Sequence, residues 1–314
     1  MMMVGLVGFT SLFVAACNDN DSEAGRVYSA DCIRFNLQGV QSMPDANFLP
    51  HNVAFAAGET RAVPIEGDGA EGLELVETAV AGIATMDNVV PTRGILTSKD
   101  NFASINKPFS IFACKNGSQV ADYIYNEKVN ANGTMVKPMR WTKGDAESVT
   151  FYAVHPAVEN DNMDTSLGKR PRFNFTVASD AENQVDLLMA GTKDLKFDSV
   201  KNSVVPINFT HVTTAIQFKI GRDFSYNQKI KTIEILKVKG EGTFDAATRQ
   251  WTLSGANKDF KLTFDPVYST AQQVNTLINV DKGLFFMLPQ ELSTEAMIKI
   301  TFESGKYWTA KIGG

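Results

Sequence analysis

Residues 149–154 read Val-Thr-Phe-Tyr-Ala-Val, a run of β-branched and aromatic residues that is closed by Pro156. Side chains of these types favour an extended backbone, because they pack well on a pleated surface. A proline has no backbone N–H and ends such a run. The stretch therefore predicts a β-strand.

Similar strands are predicted on both sides of this run. In residues 33–37 the apolar side chains alternate with Arg34 and Asn36, the period of a half-buried strand. Residues 109–114 form another apolar run, which ends at the turn signal Asn116-Gly117. The remaining candidates are 172–177, 215–220, 232–238, 260–264, 284–288 and 298–302.

The spacing of these segments predicts an all-β protein made of β-sandwiches, because short strands alternate with Gly, Pro, Asn and Asp. The chain has 314 residues, of which 44% are hydrophobic and 21% charged, enough for two domains with buried cores. A polar stretch at 179–201 is the best boundary. We therefore expect one sandwich at 30–185 and a second at 200–314.

The N-terminus has the pattern of an export signal. An apolar run leads to Val14-Ala-Ala-Cys17, and Asn and Asp residues follow at once. Small residues before a cysteine indicate a bacterial lipoprotein signal, with a signal peptide at 1–16, acylation (palmitate) on Cys17 and an acidic tether at 17–29. No Lys or Arg precedes Ala16, which a start assigned several residues late explains. The alternative is that the apolar run forms a buried N-terminal strand or helix. The run is too short for an ordinary membrane span.

Two cysteines remain if Cys17 carries lipid. Cys32 and Cys114 could pair in an oxidising compartment, or both could be unpaired core thiols. A pairing cannot be placed from sequence, and we expect unpaired thiols.

The sequence contains no recognisable catalytic constellation. His51, His155 and His211 are far apart and lack the short spacings of metal sites. His211 lies at the start of a strand, where we expect a histidine hydrogen-bonded within the sandwich, and His155 occupies a turn position. No nucleophile elbow or phosphate-binding loop is present. We therefore predict that the protein is not an enzyme and has no cofactor.

Metal, nucleic-acid and glycan sites are no better supported. Glu159, Asp161 and Asp164 lack the glycine and distal glutamate of a calcium loop, so a solvated loop is expected. The net charge of −5 argues against nucleic acid as a partner. The tryptophans, which lie within or beside strand-like runs, are interpreted as core residues: Trp141, Trp251 and Trp308.

The order of several short segments resembles the fimbrillin family of Bacteroidetes, the lipoprotein subunits of type V pili and related fimbriae. The resemblance covers about residues 72–314. The segments that carry it, in order, are Trp141, 151–156, 186–190, 205–211, 215–220, 285–290 and the hairpin 298–312.

The resemblance implies two transthyretin-like β-sandwich domains in tandem and a structural, non-enzymatic role. It implies a precursor that is lipid-anchored at the outer membrane, reaches the cell surface and joins a fimbrium after processing. An arginine-specific protease removes the lipid with a first strand, and a donor strand from the next subunit fills the groove. Other fimbrial subunits, the protease and the membrane are the implied partners.

The implied cut has several candidate arginines. Arg93 lies in a Pro-Thr-Arg-Gly context that indicates an exposed loop, the kind of site that proteases prefer. Arg61 is the second choice. Arg34 lies in a strand pattern and is a poor substrate, and Arg26 lies still earlier. The alternative for Arg93 is an ordinary surface arginine.

The chain stops at Gly314, directly after a hairpin strand, where the family usually continues into a last strand. We interpret the chain as truncated. The alternative is a tip or anchor subunit that accepts a strand without giving one. A different class of function also remains open, namely a non-polymerising surface lipoprotein that binds glycan, or a tip adhesin.

Overall fold

The computed structural model describes residues 32–41, 60–78, 97, 102, 106–141, 147–200, 204–222, 228–270, 276–278 and 284–313. Cys17, His51 and Arg93 lie outside them. No helix in the described part is long and apolar enough to cross a membrane. The strands are β1 (Arg34–Gln41), β2 (Thr60–Pro64), β3 (Glu74–Thr78), β4 (Phe109–Lys115), β5 (Ile124–Val129), β6 (Val149–His155), β7 (Arg172–Thr176), β8 (Leu188–Leu195), β9 (Val204–His211), β10 (Thr214–Ile216), β11 (Lys229–Asp245), β12 (Gln250–Ser269), β13 (Phe285–Met287), β14 (Met297–Phe302) and β15 (Tyr307–Lys311).

The first sheet has six strands in the order β1-β9-β8-β6-β4-β5. β1 runs parallel to β9, and the other pairs are antiparallel. Its interior strands β4 and β6 are buried on both faces, which explains why residues 149–154 carry no alternation. One face packs on a cluster that contains Phe109, Phe151 and Phe209.

The second sheet has the order β12-β11-β14-β15, and β7 pairs with the far end of β11. The 17 residues of β11 alternate between buried and less buried positions, so one face covers a core with Ile233, Phe260 and Trp308. Two smaller sheets complete the fold, the hairpin β2–β3 and the pair β10–β13. The predicted all-β class with β-sandwich sheets is confirmed.

The two main sheets interleave along the sequence. β8 and β9 belong to the first sheet, which therefore continues to His211, past the boundary that sequence analysis placed at 185–200. β7 comes from the first half of the chain but pairs with β11 of the second sheet. The stretch is polar in part because the second half of β8 contains the exposed residues Lys193 and Asp194.

A third core joins the two sheets. It packs the outer face of β4 and β6, through Phe112 and Val154, against Phe173 and Phe244 of the second sheet. The Phe244 ring lies 4.9 Å from the ring of Trp251. The Nε1–H of Trp251 donates to the carbonyl of Val212 at 2.9 Å. The core role expected for tryptophan is confirmed for Trp141 and Trp308, which are buried, and Trp251 is half-buried.

The two later cysteines do not pair with each other. Cys114 is a free thiol, buried in the third core, and burial with the negative charge of Asp122 raises its pKa to about 12. It is therefore protonated and unreactive at neutral pH. Cys32 is disulfide-bonded, so the expectation of an unpaired thiol holds for Cys114 and is wrong for Cys32.

Candidate assembly site

The edge of the first sheet is formed by β1, the earliest strand of the described chain. Its parallel register with β9 runs from Arg34 opposite Val204 to Gln41 opposite Thr210, with a bulge between Leu37 and Gly39. Parallel partners cannot be joined by a tight turn, so β1 is placed by long-range packing. A strand of this kind is held by its backbone hydrogen bonds and its side-chain packing, and not by a connecting turn.

Phe35 is the main anchor of β1. Its side chain is 5% exposed, and its ring meets the rings of Phe109 and Phe151 edge-on, at 5.9 and 5.8 Å between centroids. Ile33 is buried beside it. Burying a phenylalanine contributes about 2–3 kcal/mol, and edge-on ring pairs add to that. Among the side chains of β1 that the structure describes, Phe35 is the one that is buried.

A loop closes the outer side of β1. The N–H of Phe35 donates to the carbonyl of Gly133, and the N–H of Ile33 to that of Met139, both at 2.8 Å. Gly133 has φ +85°, and a Cβ there would lie 1.9 Å from the Phe35 carbonyl oxygen. Only glycine fits this close approach, and the alternation of residues 33–37 did not reveal it.

Asp186 connects His211, the last residue of β9, with the backbone of Thr97. One of its oxygens accepts from Nδ1 of His211 at 2.8 Å, and the other accepts from the N–H of Thr97 at 2.7 Å. The Asp186 side chain is 2% exposed. The hydrogen-bonded role expected for His211 is thus confirmed. Its partner was missed, because Asp186 lies in the stretch read as a boundary.

His155 is buried rather than placed in an open turn. Its ring packs 4.5 Å from the ring of Phe102, and neither ring nitrogen has a hydrogen-bond partner. Burial, aided by the positive charge of Lys107, lowers the pKa of His155 to about 4. The folded protein therefore holds this histidine neutral.

Acidification is expected to destabilise the protein through His155. The unfolded histidine, whose pKa is 6.5, binds a proton as the pH falls below that value, whereas the folded one does so only near pH 4. The free energy of unfolding should therefore drop by about 2 kcal/mol from pH 7 to pH 5 through this group. Urea unfolding of the wild type and of His155→Gln at both pH values measures it. An equal pH dependence in the two proteins would contradict the assignment.

Arg61, the second cleavage candidate, lies within β2. Its guanidinium pairs with Glu77 at 2.9 Å and donates to the carbonyl of Ile312 at 2.5 Å. A hydrogen-bonded strand is a poor protease substrate. The first candidate, Arg93, and the lipidation site, Cys17, lie in parts of the chain that the structure does not describe.

The acidic residues weighed as a calcium loop do not converge. Glu159 pairs with Lys128 at 2.9 Å, and Asp164 pairs with Arg172 at 3.2 Å. The described residues contain no group of His, Cys, Asp and Glu that could hold a metal ion. Glu159 and Asp164 instead form ion pairs with basic side chains.

The fold defines an all-β protein of the β-sandwich class. The model of the fimbrillin-like family matches residues 92–313, well over half of the chain. The chain therefore belongs to the fimbrillin-like family, a family of fimbrial proteins that act at the cell surface. β1, β2 and β3 all precede the matched region.

Three solved structures to which the chain is similar come from Bacteroides. A candidate cell adhesion protein of Bacteroides uniformis has 17% identity and a TM-score of 0.47, covering 64% of this chain and 76% of its own. Another from Bacteroides ovatus has 14% identity and a TM-score of 0.45, covering 73% and 81%. A fimbrial protein of the same species has 13% identity and a TM-score of 0.39, covering 90% of this chain and 46% of its own. No curated protein matches the sequence.

Proposed function

We propose that this protein is a structural subunit of a cell-surface fimbria, exported as a lipoprotein and assembled by protease-triggered strand exchange. Family membership supports the fimbrial role. The observation that supports strand exchange is β1, an edge strand that lies outside the family-matched region and is anchored by Phe35. Removing it exposes the pocket between Phe109 and Phe151 together with the ladder edge of β9.

The proposed exchange is β-augmentation. The β9 edge supplies main-chain donors and acceptors, and the Phe35 pocket selects an apolar side chain at one position of the incoming strand. An unfilled edge leaves polar groups unpaired and apolar surface wet, so filling it from the next subunit is favourable. As part of the same proposal, the chain forms two transthyretin-like domains in tandem, as the family resemblance implies.

The proposed cut falls at Arg93, since the family match begins at residue 92 and Arg61 is held in a strand. An arginine-specific protease should cut the folded chain at Arg93 and leave Arg61 intact. Mass spectrometry of the products after brief digestion measures this. Arg93→Gln should block the cut and Arg61→Gln should not, and the reverse pattern would contradict the choice.

The accepting groove can be tested with a peptide in place of a donor subunit. After the cut and removal of the released fragment, the remaining protein should bind a fluorescent peptide of residues 32–41. The same peptide with Phe35→Ala should bind at least roughly a hundredfold more weakly, because it leaves the ring pocket empty. Equal binding of the two peptides, or no binding of either, would overturn strand exchange at β9.

Lipidation is proposed at Cys17. Because Cys114 is a free thiol, a disulfide of Cys32 within this chain could use only Cys17, so the proposal requires that acylation of Cys17 takes the place of that bond in the precursor. Cys17→Ala should move the precursor from the membrane fraction of an expressing bacterium to the soluble fraction, because the acyl anchor is lost. Cys114→Ala, which removes the buried free thiol, is the matched control and should leave the protein in the membrane fraction. Membrane retention of Cys17→Ala, or a Cys17–Cys32 disulfide found by mass spectrometry, would contradict lipidation.

A further inference from the structure

The hairpin β2–β3 is a small sheet of its own. Its apolar residues Ile65, Leu73 and Leu75 pack against the core of the second sheet. A two-stranded hairpin is marginally stable by itself in water. Its structure therefore depends on docking, and it is the kind of element that can leave without unfolding the rest.

The hairpin docks on β15, the edge strand of the second sheet. The backbone groups of Glu66 and Thr309 exchange two hydrogen bonds, at 2.8 and 2.9 Å. Lys306 pairs with the Asp68 carboxylate at 2.5 Å, and the Trp308 Nε1–H donates to the Asp68 carbonyl at 3.1 Å. The docked hairpin therefore covers both the backbone edge of β15 and the side chain of Trp308.

Gly67 makes this contact possible. It has φ +146°, and a Cβ there would lie 2.6 Å from Cδ1 of Trp308 and 2.6 Å from the Tyr307 carbonyl oxygen. Any other residue would push the hairpin away from β15. The hairpin and β15 therefore meet at the backbone pair of Glu66 and Thr309, and Gly67 lies next to it.

The register of β15 decides which groups face the hairpin. The N–H of Ile312 donates to the carbonyl of Ala296 beside β14, so the even-numbered residues turn their backbone groups toward β14. Tyr307, Thr309 and Lys311 consequently turn theirs toward the hairpin side. Once the hairpin leaves, these three residues present an open antiparallel edge.

This edge is complementary to a second copy of itself. In an antiparallel pair centred on Thr309, Thr309 lies opposite Thr309 and Tyr307 opposite Lys311. On the core side, Trp308 lies opposite Ala310, a large residue against a small one. A threonine pair stabilises a cross-strand contact, and like charges are not opposed. A two-fold interface has this self-complementary form.

We propose that β15 is a second interaction surface, which pairs with β15 of a second copy and which the β2–β3 hairpin keeps closed. The trigger rests on the proposed function, because one cut between residues 79 and 96 separates both β1 and the hairpin from the rest of the chain. The surface itself does not use the β9 edge. The hairpin thus protects an edge that would otherwise pair.

The test uses the uncut full chain, in which β1 still fills the β9 edge. Gly67→Val should undock the hairpin and leave the β15 edge intact, so sedimentation velocity at about 100 µM should show a monomer–dimer mixture, against a monomeric wild type. Adding Thr309→Pro removes the N–H at the centre of the pair without touching the β14 ladder, and should weaken association at least roughly tenfold. Thr309→Val, which keeps the N–H, is the matched control and should leave it unchanged.

A folded Gly67→Val chain that stays monomeric overturns the proposal, and so does association that Thr309→Pro leaves intact. If Gly67→Val fails to fold, the pair Arg61→Ala and Asp68→Ala loosens the same docking from the surface and is judged by the same criteria. Failure here leaves strand exchange at β9 standing, since that is measured separately by the 32–41 peptide on the cut protein.

Discussion

Replacing Phe35 with alanine is expected to cost the full chain about 3–5 kcal/mol of unfolding free energy. The side chain is nearly fully buried between two rings, so its loss removes transfer energy and leaves a cavity. Guanidinium unfolding monitored by circular dichroism measures the change. Asn36→Ala, at the exposed neighbouring position, is the matched control and should change stability by less than about 0.5 kcal/mol.

The same substitution should act on assembly. After the cut, the N-terminal fragment stays in place only through non-covalent contacts, and a loss of about 4 kcal/mol corresponds to roughly a thousandfold weaker retention. Gel filtration at fixed times after cutting should show the Phe35→Ala fragment leaving first. Equal retention in both proteins would mean that β1 is held by something other than its ring pocket.

Replacing Asp186 with alanine is the second large expected effect, about 3 kcal/mol. The carboxylate is 2% exposed and serves both the Thr97 N–H and His211. Its removal leaves the buried Thr97 N–H and the part-buried His211 ring without their partner. Asp180→Ala removes another carboxylate that accepts a local backbone N–H, but at an exposed turn, and should cost about 1 kcal/mol or less.

Thermal unfolding measures the difference in stability loss between Asp186→Ala and Asp180→Ala. Hydrogen exchange at the Thr97 amide shows whether the loss in Asp186→Ala comes from that contact. Asp186→Ala should speed exchange at Thr97, because that amide loses its acceptor. A fall in stability with an unchanged Thr97 exchange rate would place the effect in the His211 contact instead. Equal losses for the two variants would contradict the buried role of Asp186.

The strands that sequence predicted best are those in which burial alone decides the structure. Residues 149–154 became β6 and residues 298–302 lie within β14, because apolar character there coincides with a core position. β11 and β12 are longer than predicted, since polar and charged residues interrupt the apolar runs beyond the predicted segments. Charged side chains on an exposed sheet face do not interrupt a ladder, although they interrupt an apolar run.

The parts that sequence reasoning missed depend on long-range partners. β7 reads as an ordinary strand of the first half, and only the register with β11 assigns it to the second sheet. The hairpin β2–β3 has few apolar residues and is ordered by docking on β15. Phe35 was recognised as a core-facing residue of a strand, but its place at a sheet edge could not be read from a period of two.

The interleaving of the sheets has a mechanical consequence for a protein built into a surface filament. A subunit that is pulled at its two ends must pass tension from the first sheet to the second. Here that load crosses the third core, in which Phe112 and Val154 of the first sheet pack against Phe173 and Phe244 of the second, and not a linker alone. Extending the molecule at the junction of the sheets requires breaking a core, so the subunit should transmit force as a stiff body.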